Sequence, residues 1–201
     1  GNYHLNACLT GSLFGGYPNN RAVALAGPSG TGKTYLILNA IKQAQKQGYS
    51  IVFYDSENAV DKSLVEKFGI DPKTFRYEPC NTVQEFRSSV TAITDVLIEQ
   101  KKKGLFSRQV GGGGTGPEYA ASIILFLGKA KLKEGIEQTG IIVTAKPNKN
   151  RFAKPTNIKF HISFNKGMNP YVGLEEYIGW DICGIERGRF ITEGAFSKLA
   201  E

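Results

Sequence analysis

Gly27-Pro28-Ser29-Gly30-Thr31-Gly32-Lys33-Thr34 is the stretch that decides how this chain is read. It fits the phosphate-loop pattern G-x-x-x-x-G-K-[ST] at every fixed position. The run before it, Ala22-Val23-Ala24-Leu25-Ala26, is short and apolar, the pattern of a buried strand. After it, Tyr35 to Gln47 contains no Pro or Gly, and Leu36, Ile37, Ala40, Ile41 and Ala44 recur at helical spacing. A glycine turn between a strand and a helix lets the backbone approach an anion without a Cβ in the way. The N–H groups at the helix start then point at that anion, and the helix dipole favours its charge. In such a loop Lys33 reaches the β- and γ-phosphates of a nucleotide, and the Thr34 hydroxyl ligates Mg²⁺.

The rest of the composition is compatible with that chemistry and narrows little. A length of 201 residues suits one domain of globular composition. A net charge of +7 suggests an anionic partner without naming it. Cys8, Cys80 and Cys183 are odd in number and far apart, so they form neither a disulfide framework nor a metal spacing, which fits a reducing, cytoplasmic compartment. No apolar run approaches the roughly 20 residues that cross a bilayer. His4 and His161 are isolated, and His161 reads as a surface or packing residue.

Outward from the loop, Gly1 to Arg21 reads as turn residues leading into the first strand. On the other side a second strand, Ser50 to Tyr54, runs into Asp55-Ser56-Glu57. Two carboxylates just past the C-terminal end of a strand lie at the edge where open α/β sheets bind ligands. There one of them can orient the water that attacks a γ-phosphate. Asp61 to Phe68 reads as a short helix stopped by Gly69, and Phe75 to Tyr77 as a short strand. Thr82 and Glu85 form a capping box for a long helix with Phe86, Val90, Ile93, Val96, Leu97 and Ile98 at helical spacing. It ends in Lys101-Lys102-Lys103-Gly104, cations that suit a helix C-terminus.

Beyond Gly104 the pattern changes. Gly111-Gly112-Gly113-Gly114-Thr115-Gly116-Pro117 is too permissive for a regular element and reads as a loop. Ser122–Leu127, Ile141–Ala145 and Ile158–Phe164 read as strands. The turn- and lysine-rich stretches 128–140 and 146–157 read as links, which implies antiparallel pairing. Leu174 to Ile178 looks helical, and Gly188 to Thr192 reads as a last small strand. The expected fold is α/β: a mainly parallel sheet flanked by helices, with antiparallel strands toward the C-terminus.

One element of a phosphate-loop ATPase is absent. No run of four apolar residues ending in Asp follows Gly104, so the strand whose aspartate steadies Mg²⁺ is missing unless Asp55 serves. The chain also passes from a long helix directly to a glycine loop. Two missing βα units would amount to roughly 60 residues. A segment is therefore expected to be deleted or unrecorded near Gly104/Leu105, within a single domain over 1–201.

Leu9-Thr10-Gly11-Ser12, the phosphate loop, Phe53-Tyr54-Asp55-Ser56-Glu57 and Gly112-Gly113-Gly114-Thr115-Gly116-Pro117 occur in the order found in RecA-type recombinases, which this chain resembles along nearly its whole length. Phe106-Ser107-Arg108 and Asn169-Pro170-Tyr171-Val172-Gly173-Leu174 strengthen the likeness, most of all to the strand-exchange branch of T-even bacteriophages. The resemblance implies a RecA-like core with Glu57 as the water-activating glutamate beside the catalytic Lys33, Asp55 then being a supporting residue. It implies Asp61 near the adenine of ATP and Tyr171 stacked beside the nucleotide. Lys149 and Arg151 would be the basic pair that reaches a neighbouring subunit's γ-phosphate. Arg108, Gly111, Gly112, Gly113, Gly114 and Thr115 would form a DNA-binding loop.

By the same resemblance the chain binds single-stranded DNA as a homo-oligomeric filament, pairs it with homologous duplex DNA, and hydrolyses ATP with Mg²⁺ in the host cytoplasm, with no membrane partner. The segment the family carries between Lys103 and Leu105 holds the aspartate strand, a first DNA loop and a γ-phosphate sensor. The family's N-terminal oligomerisation segment is also missing before Gly1. Two other readings stand beside this one: a hydrolysis-deficient, filament-regulating paralogue, and a phosphate-loop kinase of small molecules.

Overall fold

The computed structural model describes residues 1–102 and 121–179. They fall into two compact units, one formed by residues 1–33 with 121–179 and the other by residues 34–102. The expected break at Gly104/Leu105, the glycine loop and the strand at 188–192 lie outside the described residues.

The first unit contains α1 (Tyr3–Thr10), β1 (Ala22–Ala26), β4 (Ala121–Glu134), β5 (Glu137–Asn150), β6 (Ile158–Ser163), β7 (Gly167–Met168) and α5 (Leu174–Ile178). Its sheet runs β1-β4-β5-β6-β7. Only β1 and β4 are parallel, with Val23 opposite Ile123 and Ala26 opposite Phe126. The other three pairings are antiparallel. The antiparallel strands expected toward the C-terminus are present, the sheet is mixed, and a mainly parallel core is not confirmed by these residues. The stretch 128–140, read above as a link, belongs mostly to the strands. Lys129, Lys131 and Lys133 alternate with Ala130 and Leu132, a period-2 pattern, so β4 runs on to Glu134.

Glu134 lies opposite Glu137, leaving Gly135 and Ile136 as a two-residue turn with Gly135 at φ 64°. Glycine at the first central position suits a type II′ hairpin. In the same way β5 continues through Lys146 to Asn150, within the second expected link. The first half of β4 is buried on both faces, from Ala121 to Leu125, and the lysine half faces water. Val143, Ala145, Ile158, Phe160 and Ile162 complete the sheet's apolar interior. Gly140 sits where a Cβ would collide with the Ile162 backbone, so a strand position without a side chain is required there.

Residues 1–21 hold a helix that their turn-like composition hid. Asn2 caps α1 by accepting the Leu5 N–H at 2.8 Å, and its amide donates to the Asn169 and Val172 carbonyls. Gly11, at φ 77°, ends it. The helix buries Leu5, Ala7, Cys8 and Leu9 and packs against β6 and α5.

The second unit contains α2 (Lys33–Lys46), apart from its first residue, with β2 (Ile51–Asp55), α3 (Lys62–Phe68), β3 (Phe75–Pro79) and α4 (Val83–Lys102). β2 and β3 pair in parallel as a two-stranded sheet. Leu38, Ile41, Val60, Val65 and Ile70 form its core, with Ile51, Phe53, Phe68 and Phe75 packed against them. The expected capping box is present: Glu85 N donates to Thr82 Oγ1 at 3.1 Å, and Glu85 Oε2 accepts from Asn81 N and Thr82 N. α4 meets β2 through an edge-to-face contact of Phe86 with Tyr54, yet Val83, Phe86, Val96 and Leu97 are exposed.

His161 is buried, so it is a packing residue. His4 is buried as well, its Nδ1 has no hydrogen-bond partner, and burial lowers its pKa to about 4. The unfolded chain takes up this proton near pH 6.5 while the folded one resists it, so the folded state is favoured above that pH and loses ground as pH falls toward 4. His4→Gln removes this dependence. Its melting temperature should fall less than the wild type's between pH 6.5 and 4, and parallel curves would show that His4 carries none of the acid sensitivity.

Candidate functional site

The phosphate-loop sequence folds as its glycines require. Gly30 and Gly32 have φ of 73° and 85°, in the left-handed region that glycine enters without strain. A Cβ on Gly27 would penetrate the Leu127 carbonyl of the adjoining β4, so this position closes against backbone. Lys33, the first residue of α2, folds back over the loop. Its Nζ donates to the Gly27 carbonyl at 2.8 Å and the Pro28 carbonyl at 3.0 Å. Thr31 is fully buried and its hydroxyl donates to the Pro28 carbonyl at 2.9 Å. Lys129 Nζ donates to the Ser29 carbonyl at 2.7 Å. Three successive carbonyls are thus turned toward cations or a hydroxyl, and for the Pro28 and Ser29 carbonyls this places the Ser29 and Gly30 N–H groups on the opposite side of their peptides, an arrangement suited to an anion there. Thr34 is exposed at the second position of α2.

In the second unit the two carboxylates have different surroundings. Asp55 is 7% exposed and saturated with donors. It accepts from Glu57 N at 3.0 Å, Val60 N at 3.0 Å and the Tyr77 hydroxyl at 3.1 Å. Burial pushes its pKa up, but the N–H groups of Val60, Glu57 and Ala59 and the Tyr77 hydroxyl outweigh burial and hold it below the ordinary carboxylate value. Asp55 therefore organises the 55–60 turn. Glu57 stands exposed on that turn, two residues on, with its backbone fixed by Asp55.

Asp61 is the N-cap of α3, accepting from Leu64 N at 2.7 Å and Ser63 Oγ at 2.8 Å, and these bonds lower its pKa. Tyr171 is half-buried with its ring stacked on Tyr3 at 5.7 Å, so its ring already has an aromatic neighbour. Lys149 lies within β5 opposite Ile124 rather than on a turn. Arg151 follows the strand end, exposed, its N–H donating to the Ser122 carbonyl at 3.2 Å. Asn150 between them fixes that end, donating to the Cys8 and Leu9 carbonyls and accepting from Phe152 N and Ala153 N. Arg108 and Gly111 to Thr115 lie outside the described residues. Lys129, Asn150 and Tyr77 were not singled out from sequence. Only Lys129 had a signal there, the alternation of lysines along 129–133.

Comparison with known proteins adds the family context. The RecA N-terminal domain family model matches residues 1–98. The recombination and repair protein of Enterobacteria phage T4 is 22% identical over 235 aligned positions, covering 85% of this chain and 60% of that protein. RecA of Lactobacillus johnsonii is 30% identical over 135 positions, covering 64% of this chain and 38% of its own length. RecA of Mesoplasma florum is 47% identical over 58 positions, covering 29% and 17%. The chain thus spans less than two thirds of the length of each of these relatives. The matches bear out the resemblance to RecA-type recombinases that the motifs carry.

The geometry at Asp55 makes a stability prediction. Asp55→Ala leaves the Val60 and Glu57 N–H groups and the Tyr77 hydroxyl without their acceptor, a loss of about 2 kcal/mol or more at pH 7. Because the folded pKa is depressed, the gap from wild type should be full above the ordinary carboxylate range and close as pH falls through the lowered value. Denaturant melts of both proteins at pH 7 and pH 3 check this.

Proposed function

We propose that this chain, whose residues 1–98 match the RecA N-terminal domain, is the ATPase core of a phage-type recombinase. The observation that carries the proposal is the phosphate loop, whose Gly30 and Gly32 take up the left-handed backbone of the turn and whose Lys33 lies over its carbonyls. A nucleoside triphosphate suits this loop because the Pro28 and Ser29 carbonyls are directed to other groups, which leaves the Ser29 and Gly30 N–H groups on the opposite side of their peptides. Lys33 would exchange the Gly27 and Pro28 carbonyls for phosphate oxygens, and the exposed Thr34 hydroxyl would hold Mg²⁺. Bound Mg²⁺ would neutralise charge on the β- and γ-phosphates. Glu57 would orient water, with Asp55 fixing the turn that carries it. Asp61 and Tyr171 would border the base.

Lys149 and Arg151 would act across a filament contact, and Arg108 with Gly111 to Thr115 would grip single-stranded DNA. Hydrolysis would change that grip during pairing with homologous duplex. Among the described residues no helix is long and apolar enough to cross a membrane, and a cytoplasmic site of action is part of this proposal.

The same reading includes one RecA-like domain whose complete form carries a further internal segment near Gly104/Leu105. Three observations support it. Among the described residues β1 has a neighbour on one side only, and its small apolar residues are half-exposed. β2 and β3 form a sheet of two, and apolar residues of α4 are exposed. The alignment to the T4 protein spans 235 positions while 85% of this chain is about 171 residues, so that relative has roughly 60 positions without a counterpart here. In a mass-spectrometric peptide map of the natural protein, no peptide should join Gly104 directly to Leu105. Such a peptide would favour the hydrolysis-deficient paralogue.

Lys33→Ala should weaken ATP binding or turnover at least tenfold, about 1.4 kcal/mol. Wild-type behaviour in that variant would overturn the phosphate-loop assignment. Glu57→Gln should keep ATP and single-stranded DNA binding while hydrolysis falls about 10²-fold. Salt should weaken the DNA complex steeply through counterion uptake. Measured beside it, hydrolysis lost in Asp55→Asn and kept in Glu57→Gln would reverse the roles of the two carboxylates.

A further inference from the structure

We infer that Lys129 is a positioning residue of the phosphate loop, holding the Ser29–Gly30 peptide so that the Gly30 N–H is presented to phosphate. The inference rests on the nucleotide-binding reading of the loop and adds to it a residue a hundred positions away in the chain, on β4.

The geometry is specific. Lys129 Nζ donates to the Ser29 carbonyl at 2.7 Å, the short distance expected when the donor is charged. The same Nζ lies 2.6 Å from where a Cβ of Gly30 would be, so the ammonium fills the space that the glycine leaves. A trans peptide points its C=O and its N–H in opposite directions. Fixing the Ser29 carbonyl toward Lys129 therefore aims the Gly30 N–H the other way. The Thr31 hydroxyl does the same for the preceding peptide through the Pro28 carbonyl, which directs the Ser29 N–H and stays directed when Lys33 turns to phosphate. A hydroxyl of the loop itself and a lysine from a distant strand thus orient two consecutive N–H groups.

Position on the strand makes the lysine available for this. Leu127 and Lys129 are two residues apart on β4, hence on one face of it. Leu127 presents its carbonyl to Gly27, the first glycine of the loop, and Lys129 reaches Ser29 and Gly30 beyond it. The parallel pairing of β1 with β4, Ala26 opposite Phe126, fixes this register at the point where β1 enters the loop. Lys131 and Lys133 share the face, but no bond from either to the loop accompanies that of Lys129. The side chain is exposed, so its role does not depend on burying a charge.

The test compares wild type, Lys129→Met, Lys129→Arg and Lys33→Ala in titrations with fluorescent ADP, each with a thermal melt. Lys129→Met keeps most of the aliphatic stem and removes the donor. It should weaken ADP binding about tenfold, the loss expected for one charged hydrogen bond, with an unchanged melting temperature. Lys129→Arg, which retains a cationic donor, should recover most of the affinity. Adenosine, which has no phosphate, should bind wild type and Lys129→Met equally. ADP affinity of Lys129→Met within twofold of wild type overturns the inference, as does an equal loss for adenosine or no recovery by Lys129→Arg. The reading of the loop itself fails separately, if wild type and Lys33→Ala bind ADP alike.

Discussion

The closure of Gly27 against the Leu127 backbone is the contact on which the candidate site depends. It brings a loop that follows β1 against a strand that begins nearly a hundred residues later. The parallel register of β1 and β4 makes that approach possible, and any side chain at position 27 would hold the two backbones apart. From this contact follow the direction of the loop, the reach of Lys129 to Ser29, and the path into α2, where Lys33 turns back over Gly27 and Pro28. The loop is thus shaped by backbone packing on one side and by lysine ammonium groups on its carbonyls.

A similar division of labour separates Asp55 from Glu57. A carboxylate that is nearly buried and accepts from two backbone N–H groups and a tyrosine hydroxyl is committed to structure. Freeing it for proton transfer would break the turn. Glu57 has its main chain fixed by that same carboxylate and its side chain in solvent, so it can meet a ligand without cost to the fold. These donors give Asp55 a structural role in the 55–60 turn.

Apolar surface is distributed unevenly. The core of the second unit is well filled around Leu38, Ile41 and Val65, yet α4 leaves Val83, Phe86, Val96 and Leu97 in water. In the first unit β1, composed of alanine, valine and leucine, occupies a sheet edge among the described residues. Open edges and uncovered apolar helix faces are liabilities that proteins normally cover.

Local signals were enough for the phosphate loop, the capping box at Thr82 and Glu85, α2, α3, and the strands at 51–55 and 158–163, because each is set by neighbours within a few residues. The helix over Tyr3–Thr10 was hidden by the glycines and asparagines around it; its stability comes from burial against β6 and α5 and from the Asn2 cap, whose amide reaches Asn169 and Val172. The length of the β4–β5 hairpin was hidden by lysines and glycines that suggest a link. Pairing over fourteen residues decided it, with Gly135 supplying the turn. Sequence determined which residues could cradle an anion. Only the tertiary structure showed that Tyr77 binds Asp55, that Asn150 fixes the end of β5 by binding α1, and that Lys129 reaches the loop. Those bonds span about twenty to one hundred and forty residues, and no local pattern encodes which distant groups a sheet will bring together.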